Sequence, residues 1–304
     1  MQKTKLIKNK KGMKLETRNT LIGLSFIAPN FIGFFIFILI PVVFSFLLSF
    51  AEWDGFNEIK FVGIKNFIRL TKDRVFMASL SQTFTYVIFT VIFTLIAALG
   101  LAVLLNQKLK GTNFFRSAVF FPHVASIVAV GVVWNAMFQP QYGPLNEFLR
   151  WLGMQNLPGW TASTKWAIPA VIIVSVWKDM GYFMLVYLAA LQNVPNSLYE
   201  ASTIDGASKW QQFWRITLPM ITPAHFFVFM MLTINSFKIF SLILVMTEGG
   251  PGTSTTMLSY YIYNQSFVAW DFGKASAASM ILFVIIATIT IIQFRVEKKF
   301  NDFM

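Results

Sequence analysis

The sequence predicts an all-α polytopic membrane protein with six transmembrane helices, and three observations carry that prediction. Hydrophobic residues make up 56% of the 304 residues and charged residues only 12%, about half the charge of an ordinary soluble domain. Six stretches are apolar over the roughly 20 residues that a helix needs to cross a bilayer. The basic residues are also shared unequally between alternate loops, as the positive-inside rule requires of a chain with a defined orientation.

The spans run from Leu21 to Phe50, Leu80 to Leu105, Ser117 to Phe138, Trp166 to Leu191, Ile221 to Met246, and Ala277 to Phe294. The first is longer than a crossing needs and contains Pro29 and Pro41, so a kink or tilt is expected there. Its lysine-rich approach looks like the start of a secretory signal. The apolar run that follows is too long for one and lacks a small-residue cleavage pattern. It reads as a retained span. The chain thus divides into a basic tail, 1–20, and a single six-span domain, 21–304.

An even number of spans puts both termini on one side. That side holds Lys3, Lys5, Lys8, Lys10, Lys11, Lys14 and Arg18, then Lys108, Lys110, Arg116, Lys209, Arg215, Arg295, Lys298 and Lys299. The other holds Lys60, Lys65, Arg69, Lys72, Arg74, Arg150, Lys165 and Lys274. Fifteen against eight makes both termini cytoplasmic. The net charge of +12 follows this topology, and no nucleic-acid motif accompanies it, so lipid rather than nucleic acid is the expected neighbour of the tail.

The first outer loop, 51–79, carries Phe61, Ile64, Phe67 and Leu70 among charges and predicts an amphipathic helix on the membrane surface. The second, 139–165, places Leu145, Phe148, Leu149 and Leu152 between Pro and Gly residues, the pattern of a short helix between turns. The third opens with Glu248-Gly249-Gly250-Pro251-Gly252, a strong turn signal.

Three charges fall inside spans: Lys178 and Asp179 in the fourth, Lys238 in the fifth. An ionised group at the bilayer centre costs roughly 3 kcal/mol on insertion scales, so such residues pair or face a polar cavity. Two readings are open. One is a structural pairing between helices, for example Asp179 with Lys238. In the other, Ser175, Lys178, Asp179 and Tyr182 form a polar helix face along a wet pathway. The indole of Trp177 at its margin gives that face an aromatic platform of the kind that suits a sugar.

Catalysis is not indicated. There is no cysteine, so no thiol nucleophile or Cys-based metal site, and His123 and His225 each read as a packed helix residue. Gly273-Lys274 lacks the leading glycine of a phosphate loop. Metal-binding and Ser/His/Asp patterns are likewise missing from the sequence.

The polar stretch 196–219 separates the fourth and fifth spans. Ser197 with Glu200, and Ser208 with Gln211, have capping-box spacing. Gly206 lies between them, where a chain leaving one helix takes positive φ at no steric cost. Pro219 closes the second helix. Glu200-Ala201-Ser202, Gly206 and Ile216-Thr217-Leu218-Pro219 resemble the EAA loop of permease subunits in binding-protein-dependent ABC importers, with Ser202 where the motif has its second alanine. Trp177-Lys178, Gly181, Leu188-Ala189-Ala190-Leu191, Pro195, Tyr199, Asp205-Gly206-Ala207 and Phe213 are similar to the carbohydrate permeases of the maltose and glycerol-phosphate type, as are Thr247–Pro251, Tyr261-Ile262-Tyr263, Phe61-Val62-Gly63 and Phe121-Pro122. The early Phe61-Val62-Gly63 resembles the first of the two usual permeases.

The resemblance implies a type I ABC importer permease fold and a sugar importer in a bacterial cell membrane. Glu200, Ala201, Ser202, Asp205, Gly206, Leu218 and Pro219 would couple to a separate ATPase. The partners implied are two ATPase subunits, a second permease forming a heterodimer, and an extracytoplasmic solute-binding protein meeting Gly249, Gly250 and Pro251. ATP and Mg would be held by the ATPase, with no cofactor on this chain. In related importers the fourth and fifth spans line the sugar cavity, which points to Ser175, Lys178, Asp179, Tyr182, Asn235, Ser236 and Lys238. The alternative is an ion-gradient-driven secondary transporter or channel. Asp179 and two buried lysines would suit it, but it leaves the cytoplasmic helix pair unexplained.

Overall fold

A computed structural model of the chain describes residues 15–107 and 110–301. Lys3, Lys5, Lys8, Lys10, Lys11, Lys14 and Lys108 of the orientation argument lie outside the described residues. Among those described, four unbroken helices are long and apolar enough to cross a membrane: Ile22–Leu48, Arg74–Leu105, Ala167–Gln192 and Phe272–Lys298. Two further spans are bent pairs, Thr112–Val124 with Ile127–Met137 at 99°, and Lys209–Met220 with Thr222–Phe237 at 67°. Counting each pair once gives the expected six. The breaks are what the apolar runs did not announce.

Proline and the backbone around it explain much of the irregularity. The first span widens into a π turn over Phe35–Leu39, two residues before Pro41. The second bent pair does the same over Phe213–Thr217, two residues before Pro219. A proline ring collides with the carbonyl four residues back, and a turn bonded i→i+5 relieves that crowding. The helix then stops at Ile221, with Pro223 opening the next one. In the third span Pro122 lies three residues before the extended Ala125, where the helix ends.

The fifth span is shorter than the apolar run suggests. It ends at Phe237, with Lys238 as its cap, and a separate helix, Ser241–Met246, follows. Tertiary packing holds that segment apart. The Val245 side chain sits where a side chain on Gly131 would be, and Asn135 donates to the Val245 carbonyl at 3.2 Å.

The core is the junction of the second, fourth and fifth spans, with Tyr86, Val171, Met184, Tyr187, Leu232 and Phe237 buried together. A satellite core of Leu70, Phe76, Leu258, Tyr261, Ala277 and Ala278 closes one end of the bundle. The loop helix Lys65–Lys72 belongs to that end. It is amphipathic as expected, but its buried face packs on protein: Asn66 and Leu70 are buried. Asn66 donates to the Ser49 and Ala51 carbonyls at 3.1 and 2.7 Å, because a short hairpin, Ala51–Glu52 with Lys60–Phe61, brings that backbone alongside. The second loop forms the helix Pro144–Trp151, again as read from the sequence.

Candidate functional site

A polar cavity of about 200 Å³ lies inside the bundle, lined by Tyr86, Ile127, Ser175, Lys178, Asp179, Leu232, Asn235, Ser236 and Ile239–Leu242. Larger clefts of about 630 and 590 Å³ are walled mainly by apolar side chains such as Phe89 and Ile172 or Phe229 and Ile292. The small cavity gathers five of the seven expected pathway residues. Tyr182 is half-buried and outside that lining, and Lys238 is exposed at the end of its helix.

The intramembrane charges are partnered differently from the Asp179–Lys238 pairing considered above. Lys178 Nζ donates to the carbonyl of His123 at 2.8 Å and to those of Pro122 and Ala125 at 3.4 Å. These carbonyls end the helix Thr112–Val124 and have no helical donor. An ammonium group at a helix C-terminus both satisfies them and meets the negative end of the dipole. Lys178 therefore caps the break in the third span. Asp179 meets His123 Nδ1 at 3.3 Å, and the His123 ring stacks on Tyr182 with centroids 4.7 Å apart.

Gly181 makes this meeting possible. A side chain there would collide with the backbone of Val119 and Phe120, so its absence lets the third span lie directly on the fourth. His123 is the residue that the sequence reading missed, having been taken as packing. The available signal was Pro122, which interrupts an apolar span and frees carbonyls that need donors. Ser175 is buried and accepts from the Tyr86 hydroxyl at 2.8 Å, a second polar link between spans.

The 196–220 segment forms two helices, Asn196–Ile204 and Lys209–Met220. The Ser197–Glu200 capping box is not formed. Pro195 occupies the N-cap, which places Ser197 inside the first turn. The Ser208–Gln211 box is present in full. Gly206 has φ +79°; its N–H bonds Thr203 O at 3.1 Å and Ala207 N–H bonds Ser202 O at 2.9 Å, the Schellman arrangement that needs a left-handed residue. Glu200, Ala201, Asp205 and Gly206 are exposed, while Ser202, Leu218 and Pro219 are half-buried.

In the 247–256 loop Gly249 is buried against Tyr260 and Thr256, where no side chain fits. Gly250 and Pro251 are half-buried, and Glu248, Gly252 and Thr253 form the exposed tip. Thr255 Oγ1 braces the loop by donating to Gly250 O at 2.8 Å. Nearby, Asp73 caps the helix Arg74–Leu105 through the Val75 and Phe76 amides. It also receives Lys274 Nζ at 2.6 Å and the Tyr261 hydroxyl at 2.8 Å. Burial alone would raise the Asp73 carboxyl, but the bonds from Lys274, Tyr261 and Phe76 outweigh it and hold the group down at about 2. Burial, reinforced by Asp73, pushes the Tyr261 phenol up.

Apolar helices around a polar cavity, with an amphipathic helical hairpin left exposed at one end, define a multi-pass membrane transport subunit. The chain belongs to the family of binding-protein-dependent transport system inner membrane components, whose model matches residues 95–302. It is 35% identical over 277 residues to a probable starch degradation products transport system permease protein of Thermoanaerobacterium thermosulfurigenes, covering 90% of this chain and 93% of that one. It is 33% identical over 290 residues to the trehalose/maltose transport system permease protein of Thermococcus litoralis, covering 95% and 98%. A lactose transport system permease protein of Rhizobium radiobacter is 36% identical over 282 residues, covering 91% and 94%. In fold, the chain superposes on a chain of a bacterial alginate ABC transporter, crystallised with an alginate pentasaccharide-bound periplasmic protein. The TM-score is 0.82 and the identity 24%, over 93% of this chain and 96% of that one. The type I permease fold and the family expected from the 200–219 motif are those of the chain.

Proposed function

We propose that this chain is one of two permease subunits of an ATP-driven bacterial sugar importer, forming half of the translocation pathway, with both termini cytoplasmic. The observation that carries the reading is the 196–220 hairpin. Its first helix buries no residue, and Ile204 and Trp210 are 87% and 70% exposed. Bare apolar side chains on a rigid, capped hairpin suit a partner surface. Glu200, Ala201, Ser202, Asp205, Gly206, Leu218 and Pro219 then form the element that docks on an ATPase, which holds ATP and Mg.

Sugar as the cargo is supported by the relatives' names and by the hydroxyl, amide and charged groups of Ser175, Ser236, Asn235, Lys178 and Asp179 around one cavity. At about 200 Å³ that cavity is smaller than the roughly 300–1,000 Å³ of ordinary ligand sites. A second permease supplies the opposite wall. The first span supports such a partner, since only 6% of its apolar window is buried within this chain. The exposed tip Glu248, Gly252 and Thr253, held out by Gly249, Gly250 and Pro251, is the contact for a solute-binding protein. The ion-gradient alternative draws on Asp179, whose carboxylate is engaged by His123.

The test is reconstitution of the chain with a second permease, ATPase and binding protein in vesicles, the cargo being chosen by thermal-shift screening of the binding protein with sugars. Uptake is expected to require hydrolysable ATP and to persist when the proton gradient is collapsed. Uptake that survives ATP depletion but stops with the gradient overturns the reading.

A further inference from the structure

The two helices of the 196–220 hairpin are joined by a clasp whose protons can be assigned. Ser202 Oγ and Thr203 Oγ1 both donate to the Tyr199 carbonyl, at 2.9 and 2.7 Å. Their single protons are thereby committed, so each oxygen faces Gln212 as an acceptor. Gln212 Nε2 lies 3.0 Å from both, and its two N–H groups match the two acceptors. On the other side of Tyr199, the phenol meets Thr217 Oγ1 at 2.9 Å.

Gln212 and Thr217 are five residues apart: Gln212 immediately precedes the π turn Phe213–Thr217 and Thr217 is its last residue. In an ordinary α-helix that separation leaves two side chains about 140° apart around the axis, so both would not reach one neighbouring helix. The i→i+5 turn brings them toward the same face. The extra residue in that turn is thus tied to a specific outcome: both side chains meet the first helix.

We propose that Gln212, with Ser202, Thr203, Tyr199 and Thr217, locks the hairpin into a single rigid lever, and that the π turn ahead of Pro219 aligns the two halves of the lock. This rests on the reading of 196–219 as the ATPase-docking element and adds how movement crosses it. Gln212 acts through the hairpin as a positioning residue. Ser202, which stands where the motif has its second alanine, contributes a hydroxyl that alanine lacks.

The test uses the assembled importer and two reporters, which the cysteine-free sequence makes unique. A cysteine at Ile204 reports docking by crosslinking to the ATPase. A cysteine at Asn235, in the cavity wall, reports movement through its rate of reaction with a maleimide, with and without a non-hydrolysable ATP analogue and Mg. In the parent the nucleotide should change that rate severalfold. In Gln212→Glu, close in shape but without N–H donors, crosslinking should persist while the nucleotide-induced change falls below twofold. Thr203→Val should weaken the response and Thr203→Ser, which keeps the hydroxyl, should restore it. A full response in Gln212→Glu with crosslinking intact overturns the clasp and leaves docking standing. Absence of crosslinking in the parent overturns docking, and the clasp with it. If Gln212→Glu does not assemble, the Thr203 pair decides, and identical responses from Val and Ser overturn the proposal.

Discussion

At one end of the bundle Asp73, Lys274 and Tyr261 converge from segments up to 201 residues apart in sequence, and Arg69 pairs with Asp271 at 2.8 Å beside them. At the other end, the helices Asn196–Ile204 and Lys209–Met220 are separated by a short turn and tied by one amide and one phenol. The first set closes long loops and is mostly shielded: the side chains of Lys274 and Asp73 are 14% and 17% exposed. The second set is local, and most of the surface around it is bare. Charged bonds across distant segments suit an end that must keep its shape on its own. A small, pre-capped hairpin suits an end whose remaining surface is left for a partner. Damage at the first end should therefore appear in stability, and damage at the second in communication.

The largest effect on stability is expected from Lys274→Met, which leaves Asp73 partly buried without its cation. The cost is about 3 kcal/mol, seen as a lower thermal midpoint of the detergent-solubilised protein; an unchanged midpoint would remove the contrast between the ends. The same contact sets an acid limit. The Asp73 carboxyl is held below its ordinary value of 3.8, at about 2, so its contribution is complete above pH 4. It is lost as pH falls from about 4 toward 2, amounting to about 2 kcal/mol. Asp73→Asn should flatten the midpoint across that window relative to the parent.

Gly206→Val comes next. Nothing lies within 4 Å of a side chain there, so the cost is the left-handed backbone alone, on the order of 1–2 kcal/mol. It should appear as faster amide exchange over 201–207, with the thermal midpoint nearly unmoved. The smallest stability effect belongs to Glu200→Ala. An exposed side chain of this kind should change stability by less than about 0.5 kcal/mol, while recovery of the ATPase with the purified permease drops. Equal losses of stability and of ATPase recovery in that variant would place Glu200 in the fold instead of the docking surface.

Much of this was legible in the residues. Ser208 with Gln211, and Gly206, define their turns through bonds within a few residues, so the pattern is local and readable. The Ser197–Glu200 box looked equivalent but failed because Pro195, two residues earlier than the spacing implies, took the cap. The break after Val124 was hidden inside an apolar run, since its three freed carbonyls are met by Lys178, some 55 residues away. The same applies to Asp179: its partner His123 arrives only because Gly181 lets two helices touch backbone to side-chain-free surface.

By itself the sequence determined the spans, the hairpin and its glycine turn, and the family. Apolar length in a bilayer, backbone capping and positive φ are properties of neighbouring residues. Tertiary structure alone decided which groups meet the intramembrane charges, where the fifth span ends, and that Gln212 and Thr217 both reach the helix Asn196–Ile204. Each of those depends on how closely separate helices approach, and that distance is set by packing between segments far apart in the chain.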